Sequence, residues 1–401
     1  MFKKFLWVPL YKGVIYRLQK SEAITDTRPM LVNLHLLRFL AALPVLAHHT
    51  AEQVWASGIA REGWLYAIYL VGFGGVDVFF VISGFIIWHT THEENGPVAA
   101  SRFLRRRVAR TYSGYWPFLL LSLFLLYLYY PQLLAQKDWL LSSALIPNPA
   151  ATTTQLLPGW LALPVAWTLI YEVYFYLAFG LLIALRRQAK VGTIVVAVAV
   201  MVMAGLYASY MGVFTLDKLL DSSLLFTFYL SPYCLEFLAG CLLGELYRRV
   251  TIRWPLAWLL LGVAMTVVIG WVNARWFDGR MNMGYYVHIR VLLFIAAAVG
   301  YVLWALGLDQ KGKNFLPRLC LILGGSTYAL YLSHTLWLRW LYDIGVRNWL
   351  QQHDLTIAGY WLASLFIIAI SAVYFQFAER RLHFGFRRLL GVGKKTRKPS
   401  A

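Results

Sequence analysis

Apolar runs long enough to cross a bilayer recur along this chain from residue 31 to residue 378, and nothing between them is large enough to fold as a soluble domain. Ten spans are expected, at roughly 31–49, 65–88, 112–131, 161–185, 191–211, 224–247, 254–272, 285–307, 316–338 and 356–378. Composition agrees, with 60% hydrophobic residues, 14% charged residues and a mean hydropathy of +0.60. A soluble globular chain carries about 25% charged residues. The expected fold is an all-α polytopic membrane protein of about ten transmembrane helices. The transmembrane domain covers 31–378, between a basic segment at 1–30 and a basic tail at 379–401. Within 131–160, the stretch PNPAATTTQLLPGW reads as loop.

The formal net charge of +19 does not call for a nucleic-acid partner. If residues 1–30 face inward, segments on that side carry 28 of the 37 Lys and Arg residues and those on the other side carry 7; Arg38 and Arg290 lie within spans. This is the positive-inside distribution, and it predicts cytoplasmic termini with anionic lipid headgroups as partners. The first thirty residues show no signal-peptide profile. Cys234, Cys241 and Cys320 are too scattered for a disulfide framework, and no metal-ligand cluster is expected.

Ionisable residues inside the spans are the functional candidates, because each is expensive in hydrocarbon unless it faces protein or water. Arg38 and His49 stand eleven residues apart in LLRFLAALPVLAHH, three helical turns and about 16 Å along the axis, on nearly one face. His48 points elsewhere. Pro44 between them could bend the helix and shorten the distance. In GFGGVDVFFVISGF, Gly72, Gly74 and Gly75 allow close helix approach, and Asp77 is either a counter-ion to Arg38 or part of a polar channel. Ser83 follows in the inner half of that span.

Directly inside lies SRFLRRRVARTY, whose Arg105, Arg106, Arg107 and Arg110 have no acidic partner in the segment. Topology explains part of that density; bidentate phosphate binding explains it better. WTLIYEVYFY sets Glu172 among Trp167, Tyr171, Tyr174 and Tyr176, at a depth like that of His49. Glu172 either orients His49 or pairs with an arginine. STYALYLSHTLW brings Tyr328, Tyr331 and His334 toward the same depth, and Arg290 lies near the outer end of its span, at the interface or facing a saccharide.

Together these segments resemble the acyltransferase 3 family of integral-membrane acyltransferases, and within it the exopolysaccharide O-acetyltransferase branch. Arg38 and His49 match the family's Arg-x10-His signature, Arg107 and Arg110 its Arg-x-x-Arg pair. GGVDVFFVISGF, WTLIYE, CLEFLAG and STYALYLSH match in order over residues 31–378. Ser113 stands where many relatives have proline, Thr168 where they have serine, and His35 where an acidic residue or glutamine is common.

The resemblance implies a membrane-bound O-acyltransferase of the bacterial cytoplasmic membrane. Its donor co-substrate would be cytoplasmic acetyl-CoA, with no tightly bound cofactor. The acceptor would be a saccharide outside or at the outer leaflet, with polysaccharide-assembly machinery or a second copy as further partners. Joined to the residue readings above, it puts His49, Glu172 and His334 in catalysis, and Arg38, Arg107 and Arg110, with Arg105, Arg106 and Ser83 from those readings, at the donor. Asp77, Trp167, Tyr171, Tyr328, Tyr331 and Arg290 would meet the substrate. His49 would deprotonate a sugar hydroxyl with Glu172 orienting it, by direct transfer or through an acyl-histidine. The reading from another class is a transporter or flippase, since buried ionisable groups and paired glycines also serve alternating access.

Overall fold

A computed structural model describes residues 31–148, 160–185, 187–210, 228–282, 287–313 and 317–392. Segment 1–30, most of the PNPAATTTQLLPGW loop and residues 393–401 of the tail lie outside the described residues. The described chain is helical throughout. In order it forms α1 (Val32–Ala56), α2 (Gly63–Gly72), α3 (Gly75–Thr91), α4 (Pro97–Tyr129), α5 (Pro131–Ala135), α6 (Trp139–Ala144), α7 (Trp167–Ile183) and α8 (Arg187–Tyr210). There follow α9 (Tyr233–Arg249), α10 (Pro255–Trp276), α11 (Val287–Gln310), α12 (Pro317–Asp343), α13 (Val346–Gln352), α14 (Thr356–Tyr374) and α15 (Arg380–Leu389).

Eight helical segments among the described residues are long and apolar enough to cross a membrane, so this is a multi-pass membrane protein. The two further expected spans fall on α1 and α9. The first is a 25-residue helix carrying Arg38, His48, His49 and Glu52, and the second has 17 residues, including Glu236, Glu245, Arg248 and Arg249. The same charges that dilute their apolar character place them inside the bundle.

Local chemistry sets the ends. Pro97 and Pro255 open α4 and α10, where a missing N–H is harmless, and each follows a residue at positive φ, Gly96 at 86° and Trp254 at 58°. The N-terminus of α1 is capped from another helix. Asp309 of α11 accepts from the backbone N–H of Asn33 at 2.9 Å and of Leu34 at 3.2 Å. This places an anion on the positive end of the α1 dipole. Helix α1 runs unbroken through Pro44.

Between helices in lipid there is little hydrophobic driving force, so close contact of small residues does the packing. At the α3–α9 crossing, a Cβ on Gly84 would lie 1.9 Å from the Phe237 carbonyl oxygen, and one on Gly240 would lie 2.0 Å from that of Val81. Gly75 meets the Ala41 carbonyl oxygen of α1 in the same way, at 2.0 Å, and Gly324 of α12 meets that of His35 at 2.5 Å. The span formed by α2 and α3 is the most enclosed of the eight, while α8 and α10 expose residues such as Val196, Leu206, Leu256 and Val267 at the rim.

The crossing makes a direct prediction. Gly240→Ala forces a methyl group into backbone and should lower stability by about 1–3 kcal/mol. Gly205→Ala on α8, where nothing lies within 4 Å of the added Cβ, should leave thermal unfolding unchanged or slightly raised. Equal unfolding temperatures for the two variants would sink this account of the bundle centre.

Candidate active site

The polar groups of the bundle gather in two connected centres strung along α1. The first is a cavity of about 170 Å³ between α1, α3, α4, α7 and α12. Arg38 enters it from α1, Arg107 and Arg110 from α4, and Glu172 from α7. Three guanidinium groups thus face one carboxylate. Arg107 and Arg110 share a wall because they are one turn apart on a helix. Their guanidinium groups lie over aromatic rings, Arg107 at 5.4 Å from both Phe103 and Tyr176 and Arg110 at 5.6 Å from Tyr328. Tyr176 donates its hydroxyl to Glu172, fixing the carboxylate in place. Ser83, Thr168, Tyr328 and Tyr331 complete the polar lining.

The far wall is held by hydroxyl groups. Tyr328 donates to the Thr111 carbonyl at 2.9 Å and Tyr331 to the Val165 carbonyl at 3.1 Å, while Thr168 donates to the Tyr331 oxygen at 3.1 Å. Thr168, a departure from the usual serine, keeps a hydroxyl where it is used. Ser113, another departure, lies 3.5 Å from His383 of α15.

The second centre lies beyond Tyr331. Its ring centroid is 5.8 Å from that of His334, which is 5.2 Å from that of His49. His49 is about a third exposed, and its Nδ1 is 2.7 Å from Oε2 of Glu52. The other oxygen of Glu52 stands 3.5 Å from Nε2 of His48. His48 is buried, stacked on Tyr69 at 4.4 Å and tied through Nδ1 to the Tyr69 carbonyl at 3.0 Å. With Nδ1 of His49 donating to Glu52, its Nε2 keeps a lone pair available as a base. His334 is enclosed; Nδ1 lies 3.2 Å from the Leu330 carbonyl, and Nε2 has no hydrogen-bond partner among the described residues. Among the described residues, His48, His49 and Glu52 are also the group whose ligand atoms, within 4.8 Å of one another, could hold a metal ion.

Several expectations are corrected here. The carboxylate on His49 is Glu52, not Glu172, which belongs to the arginine cavity. Asp77 does not answer Arg38; it pairs with Arg290. The guanidinium Nε and Nη2 reach the Asp77 carboxylate at 3.0 and 2.6 Å, and Nη2 also lies 3.4 Å from the Phe73 carbonyl. Both partners are almost fully buried, and the Arg290 plane lies over Phe73 and Tyr233 at 4.7 and 5.3 Å. That pair ties α3 to α11, so neither residue is placed to meet a saccharide. Glu236, fully buried, stands in the same electrostatic cluster. Trp167 and Tyr171 are also removed from the substrate wall. They pack on Phe80 and Tyr233 in the aromatic core and do not line the cavity. Arg105 is exposed and bonded to Ser101 at 2.9 Å, and Arg106, like it, is not among the lining residues.

Glu52 was legible as a residue three positions after His49, on the same helical face, yet no motif singles it out. Glu379, which stands 3.6 Å from Arg110, was hidden in the basic run that begins at Arg380.

Comparison with known proteins shows the family. A family model described as an acyltransferase domain, acyltransferase 3, matches residues 31–376. The exopolysaccharide production protein ExoZ of Rhizobium meliloti (strain 1021) is 26% identical over 276 residues, covering 67% of this chain and 77% of the relative. The acyltransferase MdmB of Streptomyces mycarofaciens is 30% identical over 164 residues, which is 39% of this chain and 40% of the relative. No solved structure matches the chain.

The Asp77–Arg290 pair gives a test that separates structure from substrate binding. Arg290→Met leaves a carboxylate uncompensated in the bundle and should destabilise by about 3–5 kcal/mol. Adding Asp77→Asn should recover part of that loss in thermal unfolding. A fully stable Arg290→Met protein with impaired acceptor use would restore the saccharide-facing assignment.

Proposed function

As the chain belongs to the acyltransferase 3 family, we propose that it moves an acyl group, acetyl in the first instance, from acyl-CoA to a hydroxyl of an exported polysaccharide or its lipid-linked precursor. The observation that carries this reading is the continuity of the two centres: a cavity with Arg38, Arg107 and Arg110 on its walls adjoins, through Tyr331 and His334, the His49–Glu52 pair. Guanidinium groups suit the phosphates of CoA, and an imidazole backed by a carboxylate suits deprotonation of a hydroxyl. The name of the relative ExoZ, an exopolysaccharide production protein, supports the acceptor class.

In this reading the protein spans the cytoplasmic membrane ten times with both termini inside, as its basic residues suggest. The arginine cavity faces the cytoplasm and the donor. Arg107 and Arg110 hold the phosphates, and Arg38 and Ser83 border the path of the pantetheine arm. His49 Nε2 accepts the proton of the acceptor hydroxyl as its oxygen attacks the thioester carbonyl. Glu52 stabilises the imidazolium that forms. The tetrahedral intermediate collapses by breaking the C–S bond, and the CoA thiolate recovers the proton from His49. His334, with Nδ1 donating to Leu330, presents Nε2 as an acceptor, so it orients the incoming hydroxyl rather than donating to the oxyanion.

The test is acyl transfer by purified protein in lipid nanodiscs, followed as CoA release in the presence of glycan extract. His49→Ala should abolish turnover while CoA still binds. Arg107→Ala should weaken CoA binding about tenfold to a hundredfold, the worth of a charge-assisted hydrogen bond. Glu52→Gln should lower kcat by about a hundredfold with the Kd for CoA unchanged. Well-folded wild type that binds no CoA would instead point to the transporter reading.

A further inference from the structure

The last long helix carries a feature that acyl transfer, as described, does not use. Between α14 and α15 the backbone widens into a π-helical turn over Phe375–Glu379. Such turns re-aim side chains and are frequent at functional sites. Here the turn brings Glu379 inward while Arg381, two residues on, is exposed.

Glu379 is 2% exposed. Its Oε1 stands 3.6 Å from Nη1 of Arg110, and its Oε2 is buried with no hydrogen-bond partner among the described residues. Its charge also reaches Arg38. Both arginines line the cavity and Glu379 does not, so it approaches Arg110 from outside the cavity. A long contact through one oxygen, with the other left over, is a poor ion pair by the standard of a guanidinium fork. On the cavity wall itself three guanidinium groups face Glu172 alone among carboxylates.

We propose that Glu379 is the resident counter-ion of the donor-binding arginines. It partly neutralises Arg110 before the donor arrives and repels the CoA phosphates once they bind. It thereby sets donor affinity and hastens release of CoA after transfer. This rests on the assignment of the cavity to the CoA phosphates. Linkage gives the sign: removing the carboxylate leaves Arg110 less compensated in the free protein, and an incoming phosphate restores what was lost.

The experiment is calorimetric titration of CoA into full-length wild type and Glu379→Gln in nanodiscs, with thermal unfolding alongside. Glu379→Gln should bind CoA about fivefold to tenfold more tightly, the equivalent of one modest charge contact. CoA should also raise its unfolding temperature more than that of wild type. Pantetheine, which lacks the phosphates, should bind both proteins alike. If Glu379→Gln does not fold, Glu379→Asp retains the charge but withdraws it by a methylene, and should bind CoA about twofold more tightly. Weaker or unchanged CoA binding in either folded variant overturns the proposal, as does equal tightening toward pantetheine. Wild type that fails to bind CoA overturns the phosphate assignment beneath it, which is a different result.

Discussion

A charge inside a bilayer needs a partner, and the architecture follows from how this chain supplies partners to its buried arginines. Arg290 takes Asp77 in a bidentate, fully enclosed pair that ties α3 to α11. Arg110 takes Glu379 at longer range, and Arg38 lies within reach of both Glu172 and Glu379. The first arrangement is closed and satisfied. The second is open, carries excess positive charge and borders a cavity, which sets it apart from a structural brace.

Helix α1 holds the two centres in one register. Its N-terminus is fixed by Asp309, its first turns are pressed against Gly324 and Gly75, and its C-terminal half presents His49 to His334. These contacts come from three helices, α11, α3 and α12. Arg38 and His49 therefore keep their three-turn separation even though proline interrupts the hydrogen-bond ladder between them. Helix α12 spans the same interval from the other side, with Tyr328 and Tyr331 on the cavity and His334 beyond it.

Much of this was legible in sequence. The spacing of Arg38 and His49, the Arg107–Arg110 turn and the tyrosines before His334 all obey helical periodicity, so their faces could be read directly. Pairings between helices could not. The partner of His49 was expected on α7 and is on α1 itself, because a carboxylate three residues away needs no help from tertiary structure. Asp77 was read as a counter-ion to Arg38 on α1 or as part of a polar channel, and its partner is on α11, because depth along a helix says nothing about azimuth around the bundle. Tyr171 and Trp167 looked like a ring-lined wall, but aromatic residues at helical spacing serve a packed core equally well.

The reciprocal glycine contact between α3 and α9 has a further consequence. Backbones held this close have no side-chain cushion to deform, so the pair moves as one rigid strut. Bilayers differ in thickness, and a membrane protein accommodates the difference by tilting helices or bending lipid at small cost per ångström. With the centre locked, that accommodation falls to the rim helices α8 and α10, whose surfaces are largely lipid-facing. We expect turnover to vary little with acyl-chain length of the host lipid; a steep dependence would place the flexible element at the centre. The glycine crossing would thus act as mechanical insulation between bilayer thickness and the spacing of the two polar centres.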